Sequence, residues 1–409
     1  MIPVIAKYML SRSFSKINFT FRPLDWQELD FNGPKFGVYL HVPFCRMFCS
    51  FCPFYKVLYD EKLKKKYIEG VKSEAKLRGL KGSADWLYIG GGTPNLLKAD
   101  EVCELLAYVM EFMELKDVGM EGNPFEFTPE YLEKVGNAGV TKISMGVETF
   151  QFDALKAVRR AKANERLVDR IVDVAQKIGI SVNIDLMVGL PKQSLEGCLK
   201  DIETIADIGP DQVTIYPYLL IPGVMAEPGA DSLSMFRTIE SAWDILKENG
   251  YKRDSVWVFA KSHRIYDSAK DELVCDYFGL GPAAFSTIGN VQTVNPPIEL
   301  YLHMLKNSKR LAFYSELDKN AKAWRAFAHE LYKLKLNQEV CNKLPLNVKT
   351  VLQILRATGY VKGFDVTNKG RYLVHEITKT VVETLPFPLN NPNRIKNISE
   401  YESLRQNFC

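Results

Sequence analysis

The chain lacks any apolar run near the ~20 residues that a membrane-spanning helix requires. It also lacks a charge excess. Its 409 residues carry a net charge of +4 with 25% charged residues, so the electrostatics give no case for nucleic acid. Five of its eight cysteines (Cys103, Cys198, Cys275, Cys341 and Cys409) are scattered without paired spacing. That argues against a disulfide framework and fits buried thiols in a reducing cytoplasm, the compartment expected here. The opening MIPVIAKYML is short and broken by Lys7, so no secretory signal is read from it. Ile2, Ile5, Met9 and Phe14 fall at helical spacing there. They predict packing against the core, or contact with a membrane surface. There is no internal repeat and no low-complexity tract. At 46% hydrophobic residues the chain can bury a large core, and its length suggests two or three domains.

The remaining three cysteines are concentrated. Tyr39 to Lys56 reads YLHVPFCRMFCSFCPFYK, with Cys45, Cys49 and Cys52 in a C-x3-C-x2-C spacing. An apolar, strand-like run (Phe36 to Leu40) precedes them, and Phe44, Phe48, Phe51, Phe54 and Tyr55 surround them as an expected desolvating collar. Three thiolates in one loop can hold a [4Fe–4S] cluster with one iron open. A zinc site with His41 as a fourth ligand, or a chance grouping of thiols, competes with that reading. The pair-to-pair spacing of zinc ribbons is absent.

Downstream, strand-like and helix-like segments alternate. Helices are expected at Tyr59 to Leu80, Asp100 to Leu115, Pro129 to Asn137, Asn164 to Ile178 and Ser194 to Ile208. Strands are expected at Trp86 to Ile89, Asp117 to Glu121, Lys142 to Val147, Ser181 to Val188 and Gln212 to Tyr218. With the strand before the cysteines this makes six βα units around a parallel sheet, with ligands at the carboxyl ends of the strands. Then come a helix (Ser232 to Asn249), a strand (Tyr251 to Phe259), the glycine-rich Tyr277 to Ser286, helices at Lys322 to Leu334 and Val348 to Thr358, a hairpin-like Gly359 to Val374, and a tail.

Three further segments suggest chemistry. Gly90-Gly91-Gly92-Thr93-Pro94 follows a strand and bares backbone groups to a charged ligand, although a tight turn alone would use the same residues. Glu121, ahead of Gly122-Asn123-Pro124, falls at a strand end, where most glutamates are solvated surface acids. Asp185, inside VNIDLMVGLP, is costly to bury unless it is paired or binds a ligand. Tyr216 and Tyr218 could line a substrate mouth or sit in the core. His263, His303, His329 and His375 read as surface or packing residues.

The C-x3-C-x2-C loop, the GGGTP turn and the E-x-N-P segment together resemble radical S-adenosylmethionine (SAM) enzymes. YLHVPFC…C-x-F-C resembles their oxygen-independent coproporphyrinogen III oxidase-like (HemN-like) branch, which includes haem chaperones and radical methyltransferases. The likeness is strong from Tyr39 to Ser286. It implies a partial (β/α)6 barrel with an added sheet region and a C-terminal helical, winged-helix-like domain. The divisions would be 1–36, 37–225, 226–310 and 311–409. It implies Cys45, Cys49 and Cys52 as cluster ligands, with the open iron chelating SAM for reductive cleavage to a 5′-deoxyadenosyl radical. It further implies Tyr39, Phe51, Gly91, Gly92, Thr93 and Glu121 around the cofactors, and Glu148, Arg160 and Asp185 around a second SAM. Reduced ferredoxin or flavodoxin would supply electrons. Two positions depart from the pattern: Glu148 stands where the family usually has Gln, and Phe54 where the coproporphyrinogen oxidases carry a further Cys. The segment YKRDSVWVFAK has the flavour of the methyltransferases. The expected reaction is therefore methyl transfer from a second SAM to an sp2 carbon of an aromatic small molecule such as a quinone. Oxidative decarboxylation of a porphyrinogen and haem carriage are the alternatives.

Overall fold

A computed structural model describes residues 19–24, 36–220, 227–261, 276–306, 311–384 and 403. The expected amphipathic segment at the amino terminus, His263, Cys275 and Cys409 lie outside these residues. One 13-stranded sheet organises the chain. Six of its strands are the expected parallel set: β2 (Phe36–Val42), β3 (Trp86–Gly91), β4 (Val118–Gly122), β5 (Lys142–Glu148), β6 (Ser181–Val188) and β7 (Gln212–Pro217). They pair in sequence order, as βα units with crossover helices on one face require. The helices begin where short polar side chains cap them. Asp60, Thr128, Asn164 and Ser194 each accept a backbone N–H of the first turn, a contact worth about 1 kcal/mol.

The added sheet region completes the architecture on both flanks. On one side Asp276–Leu280 pairs parallel with β2, and Phe285–Ile288, Val291–Val294, Leu311–Glu316 and β1 (Thr20–Pro23) follow antiparallel to the edge. The sheet therefore takes in Leu311–Glu316, past the division expected at 310. On the other side, residues 251–259 do not form the single strand expected. Lys252–Arg253 and Val258–Ala260 form two short antiparallel strands. The intervening Asp254-Ser255 turns back, Asp254 N–H donating to the Val258 carbonyl. The C-terminal helices are Lys319–Tyr332, Gln338–Lys343, Leu346–Ala357 and Asn368–Thr384. A small hairpin (Val361–Lys362 with Asp365–Val366) gives the winged-helix character.

Two more boundaries differ from expectation. The helix read over Asp100 to Leu115 stops at Met110, and Met113–Leu115 pairs instead with Gly82–Ala84 as a small strand. The turn-rich sequence from Gly359 to Val374 suggests that the segment is hairpin-like. Only its first half is; from Asn368 it is helix, and Val374 and Ile377 pack into the core. In both cases tertiary pairing overrode a local pattern that suits helix and strand nearly equally.

Candidate functional site

All twelve of the residues expected at the cofactors line one cavity of about 740 Å³. The strands account for this convergence. Side chains on a strand alternate between faces, so residues two apart look the same way. Tyr39 and His41 on β2 and Asn183, Asp185 and Met187 on β6 all line the cavity, as do Ser144, Gly146 and Glu148 on β5. The polar positions of VNIDLMV are thus the inward set of an otherwise buried strand.

The cysteine loop is anchored at several points. Val57 N–H donates to the Pro43 carbonyl, and Tyr59 N–H to the Cys45 carbonyl. Cys45 is buried, Cys49 and Cys52 are half-buried, and all three are free thiols. Burial pushes the Cys45 thiol up to about 11 and raises that of Cys52 as well. Without a metal these groups stay protonated, and binding would release their protons. Thr93 Oγ1 lies 3.6 Å from Cys45 Sγ, and Arg160 Nη1 donates toward Cys49 Sγ at 3.6 Å.

The donor set fits a cluster rather than a single ion. Among the described residues no three His, Cys, Asp or Glu side chains converge tightly enough to hold one metal ion. His41 is also committed elsewhere. Its Nε2 lies 3.0 Å from the Tyr55 carbonyl, which can only accept, so Nε2 carries the proton. Its Nδ1 then accepts from the Tyr39 hydroxyl at 3.2 Å. Burial lowers its pKa to about 4 despite that backbone contact, so the ring is neutral and fully bonded. This removes it as the fourth zinc ligand. The expected aromatic collar is only partly there. Phe44 is buried and Phe51 and Tyr55 are half-buried, but Phe48 and Phe54 are 41% and 52% exposed.

At the next strand end Gly91 adopts φ of 116°, a left-handed conformation that favours glycine, and a Cβ there would meet the His41 ring at 2.7 Å. Its N–H donates to the Glu121 carboxylate from the neighbouring strand. One strand further on, Glu148 closes β5 with φ of 66°, where the pairing with β6 slips by one residue. Burial pushes its carboxyl up to about 7, while Arg160, 3.2 Å away, pulls it down. Burial alone would lower the Arg160 pKa; Glu148 and Cys49 outweigh it and raise the value. Asp185 is raised by burial, against the opposing hydrogen bonds from Ser144 (2.6 Å) and Asn183 (2.8 Å).

Of the two tyrosines considered, Tyr216 lines the cavity. Tyr218 does not: it is buried, and its hydroxyl donates to the Glu227 carbonyl. His329 and His375 are buried packing residues, and His303 is half-buried. Sequence reasoning missed Ser144, Asn183 and Thr214, which fix Asp185 through a chain of hydrogen bonds. The two-residue spacing of Asn183 and Asp185 carried the signal. It also missed a wall supplied from the far end of the chain. Tyr277 and Phe285 from the added sheet, and Ala328, Tyr332 and Ile377 from C-terminal helices, line the same cavity.

Known proteins resemble the chain in sequence and in fold. Residues 39–205 match the Radical SAM superfamily. The haem chaperone HemW of Buchnera aphidicola subsp. Schizaphis graminum is 25% identical, over 86% of this chain and all of its own length. The oxygen-independent coproporphyrinogen III oxidase of Helicobacter pylori (strain J99) is 30% identical over 70% of this chain and 66% of its own. The solved coproporphyrinogen III oxidase (HemN) of Escherichia coli superposes with a TM-score of 0.72, over 85% of this chain and 90% of that one, at 22% identity.

Proposed function

Because the chain belongs to the radical SAM superfamily, in its coproporphyrinogen III oxidase-like (HemN-like) branch, we propose that it is a tetrapyrrole-handling protein of the haem-carrier kind. Its cofactors are a [4Fe–4S] cluster and SAM. When bound, the cluster would supply the electron for reductive cleavage of SAM to a 5′-deoxyadenosyl radical.

The observation that carries the reading is the single cavity shared by the cysteine loop and an aromatic wall. Tyr277, Phe285, Trp257 and Tyr332 line it together with the cysteines. Such a wall suits a planar apolar ligand, since each ring buries large area and favours offset stacking. The full-length match to a haem chaperone supports the same class. Phe54, exposed at the loop where coproporphyrinogen oxidases carry a further Cys, counts against oxidative decarboxylation.

Within this site Cys45, Cys49 and Cys52 would hold the cluster. Gly91, Gly92, Thr93 and Glu121 would receive the amino-acid end of SAM through backbone groups and one oriented carboxylate. The exposed Met47, Phe48 and Phe54 leave the loop open to an electron donor of the ferredoxin or flavodoxin kind. Methyl transfer is the second reading, favoured by one observation: Glu148, Arg160 and Asp185 form a polar side of the cavity that adjoins the cysteine loop at Cys49, suited to a second SAM.

The test combines anaerobic haem titration of the reconstituted protein with mass spectrometry of SAM products. Stoichiometric haem binding without SAM turnover is expected. 5′-Deoxyadenosine together with S-adenosylhomocysteine would replace the carrier reading with methyl transfer. No haem binding would overturn it outright.

A further inference from the structure

Arg160 reaches the cysteine loop from outside it. It lies between helices Phe152–Ala157 and Glu165–Lys177, in a connection whose Val158 carbonyl accepts the Ser50 N–H at 3.1 Å. The loop is thus held against this connection by backbone as well as by side chain. The guanidinium has three partners. Nη1 donates toward Cys49 Sγ at 3.6 Å, Nη2 donates to the Gly146 carbonyl at 2.6 Å, and Glu148 Oε1 stands 3.2 Å from Nη2. Gly146 makes room for it, since a Cβ there would lie 2.5 Å from Nη2. Lys56, just past Cys52, donates its ammonium to the carbonyls of Cys52 and Phe54, and Arg46, between Cys45 and Cys49, pairs with Glu126.

We propose that Arg160 is a positioning residue that sets the reduction potential of the cluster through the Cys49 sulfur, with Glu148 as the counter-charge that moderates it. The physical ground is charge. Hydrogen bonds to ligand sulfurs and nearby charges set cluster potentials, because reduction adds an electron to an already anionic group. A cationic donor on Cys49 stabilises the reduced form and raises the potential. A carboxylate 3.2 Å from that donor offsets part of the effect. The role differs from a contact to a second SAM, since it acts with no SAM bound.

The experiment is potentiometric titration of the reconstituted cluster, followed by electron paramagnetic resonance, at pH 8 without SAM. Arg160→Met should hold about four irons per chain and show a more negative potential. Glu148→Gln keeps an acceptor for Arg160 but loses the charge, and should show a more positive potential. Arg160→Lys should fall between Arg160→Met and wild type. A wild-type or more positive potential in iron-replete Arg160→Met overturns the proposal. If that variant does not retain a full cluster, Glu148→Gln decides, and an unchanged or more negative potential there overturns it.

Discussion

The Glu121 carboxylate accepts the backbone N–H of Gly91 from the adjoining parallel strand. The bond fixes one oxygen of the carboxylate and locks the glycine turn that follows β3. Both groups line the cavity, so a single contact orients an acid and a set of backbone donors toward one ligand.

Glu121 variants should separate these roles. Glu121→Gln can still accept from Gly91 but carries no charge; Glu121→Ala loses both. A charge-assisted contact is worth about 1.5–3 kcal/mol, so SAM affinity should fall roughly tenfold or more in Glu121→Ala and less in Glu121→Gln. Equilibrium binding to cluster-replete protein is the measurement. Wild-type affinity in both variants would make Glu121 an ordinary surface acid.

Iron analysis tests the cysteine loop. Wild type should hold about four irons with matching labile sulfide, and Cys45→Ala, Cys49→Ala or Cys52→Ala should each lose most of both. Cys103→Ala, Cys198→Ala and Cys341→Ala should keep the iron, because these thiols lie outside the cavity lining. One zinc and no sulfide would refute the cluster.

Stoichiometry tests the polar side of the cavity. Asp185→Asn leaves the cysteines untouched and removes a charge that Ser144 and Asn183 hold in place. If a second SAM depends on it, wild type should bind two SAM per cluster and the variant one. In that methyl-transfer case 5′-deoxyadenosine, made from the first SAM, should still form in the variant. A wild-type ratio of one rules out a two-SAM mechanism.

Acid stability should report His375. Its Nδ1 accepts from Trp257 Nε1 at 3.3 Å, and burial lowers its pKa from 6.5 to about 3. As pH falls below 6.5 the unfolded chain takes up a proton that the folded ring refuses. Stability is therefore full above 6.5 and declines toward 3. Between pH 6.5 and 5 the loss is about 2 kcal/mol at most. His375→Gln can still accept from Trp257, and should flatten the fall in Tm between pH 7 and pH 5 in the apoprotein. An unchanged slope would show that His375 titrates normally.

The local chemistry was legible in the chain itself. A C-x3-C-x2-C loop, a glycine turn and a buried Asp declare themselves through spacing, because each depends on neighbours a few residues away. The six parallel strands were legible too, since burial on both faces and regular turns leave a strong pattern. Helix starts at Thr128, Asn164 and Ser194 followed from capping side chains.

What the tertiary structure decided depends on contacts between distant residues. The break at Met110 came from pairing with Gly82–Ala84, the second strand of the split at residues 251–259 from pairing with Gln212–Thr214, and the helix beyond Asn368 from packing Val374 and Ile377 into the core. The neutrality of His41 depends on its burial and its tautomer on the Tyr55 carbonyl, and the inward tether of Arg160 depends on Cys49, 111 residues away. The aromatic wall of Trp257, Tyr277, Phe285 and Tyr332 joins the cysteines only because the sheet and the C-terminal helices bring it there. Spacing along the chain specifies which groups can react. Sheet register and helix docking set which of them meet, since burial energy depends on the whole packed surface rather than on any segment.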